Sequence, residues 1–215
     1  MARRDTRGLI LKTSLALFND LGEPNVTTNL IADEAEISPG NLYYHFRQKK
    51  DIVEALFSAF AESLLPLIDI DVDDDIDAES LWFRLHLVFE LKGQYRFVYR
   101  NLSDIAGRMP DVDNAMRALL GRERRAVANL LEGLCKSGQM KADWLQRSML
   151  LDQIMLTMTY WIPHADQFDP DGTADGSAQV RAISRVFLLV SPYLQPPWQD
   201  ETRRLAADYL QSLEQ

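Results

Sequence analysis

Two short helical patterns separated by a brief break constrain the fold of this chain more than any other feature. They lie within residues 27–52. Thr27 is a favourable N-cap for the first pattern, and Ser38 is one for the second. Pro39 takes the first position of the second helix, because its missing N–H costs nothing there. The spacing predicts a helix-turn-helix whose apolar positions are Leu30, Ile31, Ala35, Leu42 and Phe46.

The residues left on the outer side of the second helix indicate contact with a nucleic acid. Exposed aromatic rings and an asparagine are poor choices for a solvent face, whereas they suit a helix pressed against DNA. The start of the second helix reads the major groove in such motifs. Asn41 is the candidate for base discrimination, because its amide can bond adenine through two hydrogen bonds. The candidate DNA-binding residues, several of them expected at phosphates, are Thr27, Thr28, Ser38, Pro39, Gly40, Asn41, Tyr43, Tyr44, His45 and Lys49.

Four motifs follow one another with fixed spacing in residues 10–56. They are Leu17-Phe18-x-x-x-Gly22 at the end of an apolar helix, Val26-Thr27-x-x-x-Ile31-Ala32, Ser38-x-Gly40-x-Leu42-Tyr43-x-His45-Phe46, and Lys49. Together they resemble the N-terminal domain of the TetR-type transcriptional regulators. The resemblance implies a double-stranded DNA operator as partner and a small-molecule effector in the second domain. It also implies that Tyr44, His45 and Lys49 match positions that commonly contact the DNA backbone.

One residue departs from the family pattern. Members usually have glycine in the turn between the two short helices, where this chain has Glu36. A positive φ would cost a non-glycine residue roughly 1 kcal/mol. Either the turn follows a different path, or the chain tolerates some strain there.

The net charge of −9 is unusual for a DNA-binding protein, but the positive charge is concentrated near the N-terminus. Residues 1–50 carry seven Lys or Arg and six Asp or Glu, a net charge of +1, which leaves −10 for the remainder. Association with phosphates depends on the local potential, so the acidic balance does not argue against DNA. Arg3, Arg4 and Arg7 form either an arm against DNA or a solubilising tail.

Composition predicts a globular protein of the cytoplasm with no membrane partner. Hydrophobic residues make up 47% and charged residues 26% of the chain. No apolar run approaches the ~20 residues of a membrane span, and the N-terminus lacks the apolar core of a secretory signal. A single cysteine, Cys135, excludes an intramolecular disulfide and fits a reducing compartment.

Helical periodicity throughout predicts an all-α fold, with an N-terminal three-helix helix-turn-helix domain plus a larger C-terminal helical bundle that dimerises. The predicted divisions are the helix-turn-helix domain 1–48, a connecting helix 49–68, an acidic linker 69–77 and a ligand-binding and dimerisation domain 78–215. The predicted helices are Thr6 to Leu21, Lys49 to Pro66, Ala78 to Lys92, Tyr95 to Ala106, Pro110 to Gly138, one capped by Asp143, one through Val180 to Leu194, and Asp200 to Leu213. Residues 166–178 are predicted to form a loop.

Two long apolar stripes indicate a homodimer. The stripes at Leu151 to Ile162 and Val180 to Leu194 are apolar over more than half of the helix circumference. Pairing them between two subunits would give a four-helix interface with two-fold symmetry, which would match an inverted-repeat operator.

Methionines and aromatic residues of the C-terminal region form either an ordinary core or the lining of an apolar ligand site. The candidate ligand-binding residues are Trp82, His86, Phe89, Phe97, Asn101, Met116, Met155 and Met158. Residues 82–110 are similar to the TetR-type regulators found with polyhydroxyalkanoate gene clusters. This narrower resemblance implies a fatty-acyl or acyl-thioester effector.

No cofactor, metal or catalytic site is predicted. The acidic run lacks the glycine and the final glutamate of a calcium loop in every register tried, and His86 with Glu90 lacks a third ligand nearby. There is no glycine-rich phosphate loop or nucleophile elbow. The sequence predicts a sequence-specific DNA-binding transcriptional regulator, and we expect it to act as a repressor. The alternative is a helical interaction or catalytic module for which DNA binding is incidental.

Overall fold

A computed structural model describes residues 5–69 and 78–213 of the chain. In this part the chain forms α-helices and two short 3₁₀ turns and no β-strand, which confirms the all-α class. The helices are α1 (Thr6–Leu21), α2 (Thr28–Glu34), α3 (Pro39–His45), α4 (Lys49–Ile68), α5 (Ala78–Gln94), α6 (Arg96–Arg100), α7 (Leu102–Arg108), α8 (Pro110–Lys136), α9 (Trp144–Phe168), α10 (Pro170–Asp175), α11 (Ser177–Val190) and α12 (Trp198–Ser212). No helix of the described residues has the length and apolar character needed to cross a membrane.

The chain divides into two compact units. The first comprises residues 1–63 and 95–116, and the second comprises residues 64–94 and 117–215. This division differs from the predicted domains, since residues 95–116 pack with the N-terminal residues. Asn19 near the end of α1 explains this packing: its side-chain oxygen accepts from the backbone N–H of Phe97 at 3.0 Å, and its carbonyl accepts from Arg100 at 2.6 Å.

Local chemistry sets the ends of α1 where the sequence predicted them. The Asp5 side chain accepts the backbone N–H of Gly8 at 3.0 Å and caps the first turn. Gly22 ends the helix with φ of +80° and donates its N–H to the carbonyl of Phe18. Ile10 and Phe18 on the inner side of α1 are fully buried.

Helix α4 continues through Pro66 to Ile68, the end of the predicted connecting helix, because the proline lies in the last turn and burial of Leu64 and Ile68 offsets its missing N–H. Two other predictions were wrong. The helix predicted over residues 95–106 is divided at Asn101, whose side-chain amide donates to the carbonyl of Phe97 at 3.3 Å and competes with the helical ladder.

The second wrong prediction concerns residues 166–178, which were predicted to form a loop. They include the end of α9 and the short helix α10. Asp169 caps α10 by accepting from the N–H of Gly172 at 3.3 Å, and Pro170 takes its first position. Gly176, with φ of +84°, then separates α10 from α11. The predicted acidic linker, residues 69–77, lies outside the described residues except for Asp69, which is exposed.

Candidate DNA-reading surface and ligand cavity

The two helices of the helix-turn-helix begin at the predicted caps. The Thr27 hydroxyl accepts from the N–H of Leu30 at 3.1 Å, and the Ser38 hydroxyl accepts from the N–H of Asn41 at 3.2 Å. Both hydroxyls therefore satisfy backbone donors that would otherwise be unpaired at a helix start. Both side chains stabilise the first turn of their helix, and both residues are exposed.

Glu36 lies where members of the family usually have glycine, and it adopts the left-handed conformation that glycine favours. Its φ is +52°. Its N–H donates to the carbonyl of Asp33 at 3.1 Å, and the N–H of Ile37 donates to the carbonyl of Ala32 at 3.0 Å. This is the Schellman pattern that ends helices, in which glycine usually takes the left-handed position. The turn keeps its ordinary path, so the strain is tolerated.

One side of α3 is anchored and the other is open to solvent. Leu42 is fully buried, whereas Tyr43 is 47% and Tyr44 is 81% exposed. Pro39, Gly40 and Asn41 are exposed as well. His45 is half-buried, and its ring meets that of Tyr44 edge to face at 5.2 Å. The face that the sequence assigned to DNA is therefore free of packing against this chain's own core.

A hydroxyl pair joins the two helices. The side-chain oxygens of Thr28 and Tyr43 lie 3.0 Å apart, so one donates to the other. Tyr43 is thereby directed by α2 although it belongs to α3. Such a bond limits the rotamers of an exposed aromatic side chain before any partner binds.

Lys49 is placed differently from the other predicted DNA-binding residues. Its ammonium lies 3.0 Å from the carboxylate of Glu23, and it donates to the carbonyls of Glu23 and Val26 at 2.8 and 3.0 Å. Two of the three ammonium donors are thus used by backbone carbonyls, and the carboxylate balances the charge. Lys49 therefore positions the start of α4 in this structure.

Glu23 is also paired with a residue from α7. Its side chain is fully buried, and Arg108 donates to its second carboxylate oxygen at 2.5 Å. Arg108 bonds Asp104 too, which lowers the pKa of the Asp104 carboxyl and, together with Glu23, raises the pKa of the Arg108 guanidinium. These charges hold α7 against the segment that precedes α2.

The predicted basic arm is only partly visible. Arg3 and Arg4 lie outside the described residues. Arg7 belongs to α1, and its guanidinium carbon lies 5.3 Å from the centre of the Phe46 ring, within the range of a cation–π contact.

Helix α9 carries a stripe of exposed apolar residues, and the neighbouring α11 adds one more. Four of the α9 residues are separated by four, seven and four positions, which places them on one side of the helix, and each is at least half exposed. They are Leu145, Met149, Leu156 and Tyr160, with Trp144 and Phe168 at the two ends of the helix. Leu188 on α11 is 44% exposed. Exposed apolar residues grouped on one side of a helix are typical of interaction sites.

A cavity of about 110 Å³ lies within the second unit. Its wall is almost wholly apolar and combines residues of the end of α4 with residues of α5, α8, α9, α11 and α12. Representative lining residues are Ile68, Val88, Leu131, Ile154, Met158 and Phe187. A concave apolar space with few polar groups is typical of a small-molecule site.

An ion pair lies at this cavity, and the sequence reasoning missed it. Glu123 lines the cavity, and its carboxylate lies 2.8 Å from the ammonium of Lys92. Both side chains are fully buried. Lys92 also donates to the carbonyl of Met158 at 3.2 Å. The sequence did contain a sign of this buried charge. Glu123 is four residues from both Leu119 and Val127, so it lies on an apolar stripe of the helix.

Of the eight predicted ligand-binding residues, Met158 lies at the cavity. Phe97, Asn101 and Met116 belong to the first unit. The Trp82 ring packs against Phe187 at 4.4 Å and Tyr209 at 4.7 Å. The remaining three are also absent from the described wall of the cavity: His86 faces Tyr209, Phe89 packs on Trp161, and Met155 is half-buried on α9. Helical spacing identified apolar positions but could not tell core from cavity.

The fold and the exposed face of α3 define a helix-turn-helix protein with a larger helical second unit. Comparison with known proteins supplies the family. Residues 10–56 match the bacterial regulatory proteins of the tetR family, and residues 59–202 match the TetR bacterial transcriptional repressors. The chain belongs to the TetR family of DNA-binding transcription regulators.

Individual relatives agree with this assignment. The crystal structure of a TetR-family transcriptional regulator from Marinobacter aquaeolei VT8 is 32% identical, with a TM-score of 0.86, and the match covers 95% of this chain and 98% of that one. The regulator TcmR of Streptomyces glaucescens is 24% identical over 139 residues, 64% of this chain and 56% of TcmR. The uncharacterized regulator TtgW of Pseudomonas putida is 28% identical over 79 residues, 37% of this chain and 56% of TtgW.

The chain thus matches about half the length of these two curated relatives. None of the three matches shows the narrower resemblance to regulators of polyhydroxyalkanoate gene clusters. The acyl-type effector that this resemblance implies therefore stays a prediction.

Proposed function

We propose that this protein is a homodimeric repressor that binds an inverted-repeat DNA operator and releases it when a small apolar effector occupies the cavity of the second unit. The observation that carries the proposal is the exposed face of α3. Asn41, Tyr43 and Tyr44 are open to solvent while Leu42 anchors the helix from behind.

Base reading is assigned to Asn41 and phosphate contacts to the residues around it. Asn41 lies in the first turn of α3, the part of the second helix that enters the major groove in helix-turn-helix proteins. A bidentate asparagine–adenine pair discriminates by roughly 1–3 kcal/mol against a wrong base. Thr27, Thr28, Tyr43, Tyr44 and His45 hold the phosphates on either side.

Dimerisation is assigned to the exposed stripe of α9 and to Leu188 of α11. Two copies of α9 and α11 would bury these side chains in a four-helix interface with two-fold symmetry. Such a dimer presents two α3 helices to half-sites about 34–36 Å apart, or a multiple of that distance.

Effector control is assigned to α4. Lys49 at its start is bonded to Glu23, and Leu67 and Ile68 at its end line the cavity. A molecule that occupies the cavity bears directly on the end of a continuous helix. Repression is relieved if the occupied state favours a spacing of the two α3 helices that no longer fits the operator.

The DNA part of the proposal is tested by selecting duplexes from a random library with the wild-type protein and then measuring affinities over a range of salt concentrations. We expect an inverted repeat and a steep loss of affinity with salt. Asn41→Ala should lose most of the preference for the selected sequence, while Asn129→Ala, an exposed asparagine of α8, should keep it. Unchanged preference in Asn41→Ala would exclude the assigned reader, and the absence of any selected sequence would favour the interaction-module alternative.

The effector part is tested by native mass spectrometry of the purified protein, followed by operator-binding measurements with the molecule that co-purifies. A fatty-acyl compound in this experiment would support the acyl-type effector. Operator affinity that stays the same at saturating ligand would exclude the coupling.

A further inference from the structure

We propose that the Glu123 carboxylate is the polar anchor of the cavity and selects neutral, ring-sized apolar molecules that carry a hydrogen-bond donor. The inference rests on the proposed effector cavity and names the class of ligand that it takes. It predicts that a hydroxyl or N–H group of the ligand meets the carboxylate while the rest of the ligand fills the apolar space.

The first argument is an unsatisfied carboxylate. Glu123 is fully buried and paired with Lys92 at 2.8 Å, yet neither of its oxygens accepts a well-aligned hydrogen bond from the residues that the structure describes. Buried carboxylate oxygens are normally hydrogen-bonded, because an unpaired acceptor loses its solvation without compensation. A donor from a bound molecule would supply the missing bond.

The second argument is the position of this carboxylate. Glu123 is among the residues that line the cavity. Arg84, another polar lining residue, directs a guanidinium N–H to the carbonyl of Leu67 at 3.5 Å. The surrounding wall is almost wholly carbon, and Glu123 is the one carboxylate among the residues that line this cavity.

The third argument is charge. Lys92 and Glu123 together carry no net charge, and the half-buried guanidinium of Arg84 adds one positive charge at the wall. A cationic ligand would add a further positive charge beside Lys92 and Arg84, and an anionic ligand would bring a second negative charge to Glu123. A neutral donor satisfies the carboxylate without changing the net charge.

Size restricts the ligand further. The cavity volume of about 110 Å³ is comparable with the ~150 Å³ of an engineered protein cavity that holds benzene. One six-membered ring with a short substituent is therefore a suitable probe.

The test compares benzyl alcohol with anisole, which are isomers with the same ring but with and without a donor. Benzylamine and benzoate add a cationic and an anionic member of similar size. Affinities are measured by titration calorimetry with the full-length protein in the absence of DNA. Benzyl alcohol should bind about tenfold tighter than anisole or more, as expected for a hydrogen bond to a charged group, and benzylamine and benzoate should both bind more weakly than benzyl alcohol.

The matched variant removes both charges at once. Glu123→Leu alone would leave Lys92 buried without its carboxylate, whereas Lys92→Met combined with Glu123→Leu replaces the pair by apolar side chains of similar volume, a change that proteins often tolerate. The double variant should bind the two isomers equally. Glu132→Leu, which removes an exposed carboxylate of the same helix, should keep the wild-type preference.

The outcomes separate this inference from the proposed function. Equal affinity of the wild type for both isomers, or an undiminished preference in the double variant, would overturn the role of Glu123 and leave an apolar effector site standing. Selective binding of benzyl alcohol with no effect on operator affinity would support the anchor and overturn the effector function. Failure of all four compounds to bind would overturn the inference, whereas the proposed function is overturned by operator affinity that does not respond to the ligand that co-purifies.

Discussion

The ammonium of Lys49 lies 3.0 Å from the fully buried carboxylate of Glu23 and donates to two backbone carbonyls of the same segment. This arrangement ties the first residue of α4 to the chain just before α2. It gives Lys49 a structural task in the protein without DNA, in addition to any contact with phosphate.

Replacing Lys49 by methionine should therefore destabilise the protein itself. We expect the free energy of unfolding to fall by about 2 kcal/mol, because hydrogen bonds to a charged group are lost. Urea unfolding at fixed protein concentration measures the change. Lys50→Met is the control, since Lys50 pairs at the surface with Glu54 and Asp111, and such exposed pairs contribute little to stability. Equal losses of stability in both variants would contradict the structural role of Lys49.

A direct contact of Lys49 with a DNA phosphate would have a second effect. The slope of the logarithm of operator affinity against the logarithm of salt concentration would be shallower by about 0.9 in Lys49→Met.

Glu36→Gly should stabilise the protein. Relief of the left-handed conformation at φ of +52° is worth about 1 kcal/mol, measured by thermal or urea unfolding. Glu34→Gly, in the last turn of α2, is the control and should destabilise by a similar amount, because glycine weakens a regular helix. A loss of stability in Glu36→Gly would show that the Glu36 side chain contributes more than its backbone costs.

Leu156→Glu should produce a monomer. A charge at this 52% exposed position of α9 would be buried without a partner in the proposed interface. Sedimentation velocity measures the mass, and operator affinity should fall with it because both half-sites are no longer engaged together. Phe83→Glu changes a 62% exposed aromatic residue of α5 and should remain dimeric. A dimeric Leu156→Glu would move the interface elsewhere.

Acid should weaken the contact between Asp104 and Arg108. Hydrogen bonds from Arg108 hold the pKa of the Asp104 carboxyl below its ordinary value of 3.8. A group with a lowered folded pKa stabilises the protein above its unfolded pKa, and this contribution is lost as pH falls through the folded pKa. The difference in the free energy of unfolding between the wild type and Asp104→Asn should therefore be constant near neutral pH and shrink below about pH 4. A pH-independent difference for Asp104→Asn would refute the linkage.

The structure bears out the sequence best where the chemistry is local. Thr27, Ser38 and Asp143 could be predicted as caps because a cap side chain bonds a backbone N–H three residues along the chain. The same logic applied to Asp169 and Pro170 would have revealed α10, but the surrounding glycines favoured a loop.

Contacts between distant segments could not be predicted in the same way. The pairing of Asn19 with residues of α6 depends on how helices meet. The same is true of the cavity, where Met158 was the one predicted residue that the structure placed on its wall. Helical periodicity identifies an inward face without saying which other face it meets.

The sequence by itself determined the all-α class, the family and the helix-turn-helix with the exposed residues of α3, because these depend on the 3.6-residue period and on caps within one turn. The tertiary structure alone decided that Lys49 is held by Glu23, that Glu36 adopts a positive φ, and that Lys92 and Glu123 meet at an apolar cavity. The physical reason is that burial and pairing of a charge depend on neighbours from other helices, and their identity is set by packing rather than by spacing along the chain.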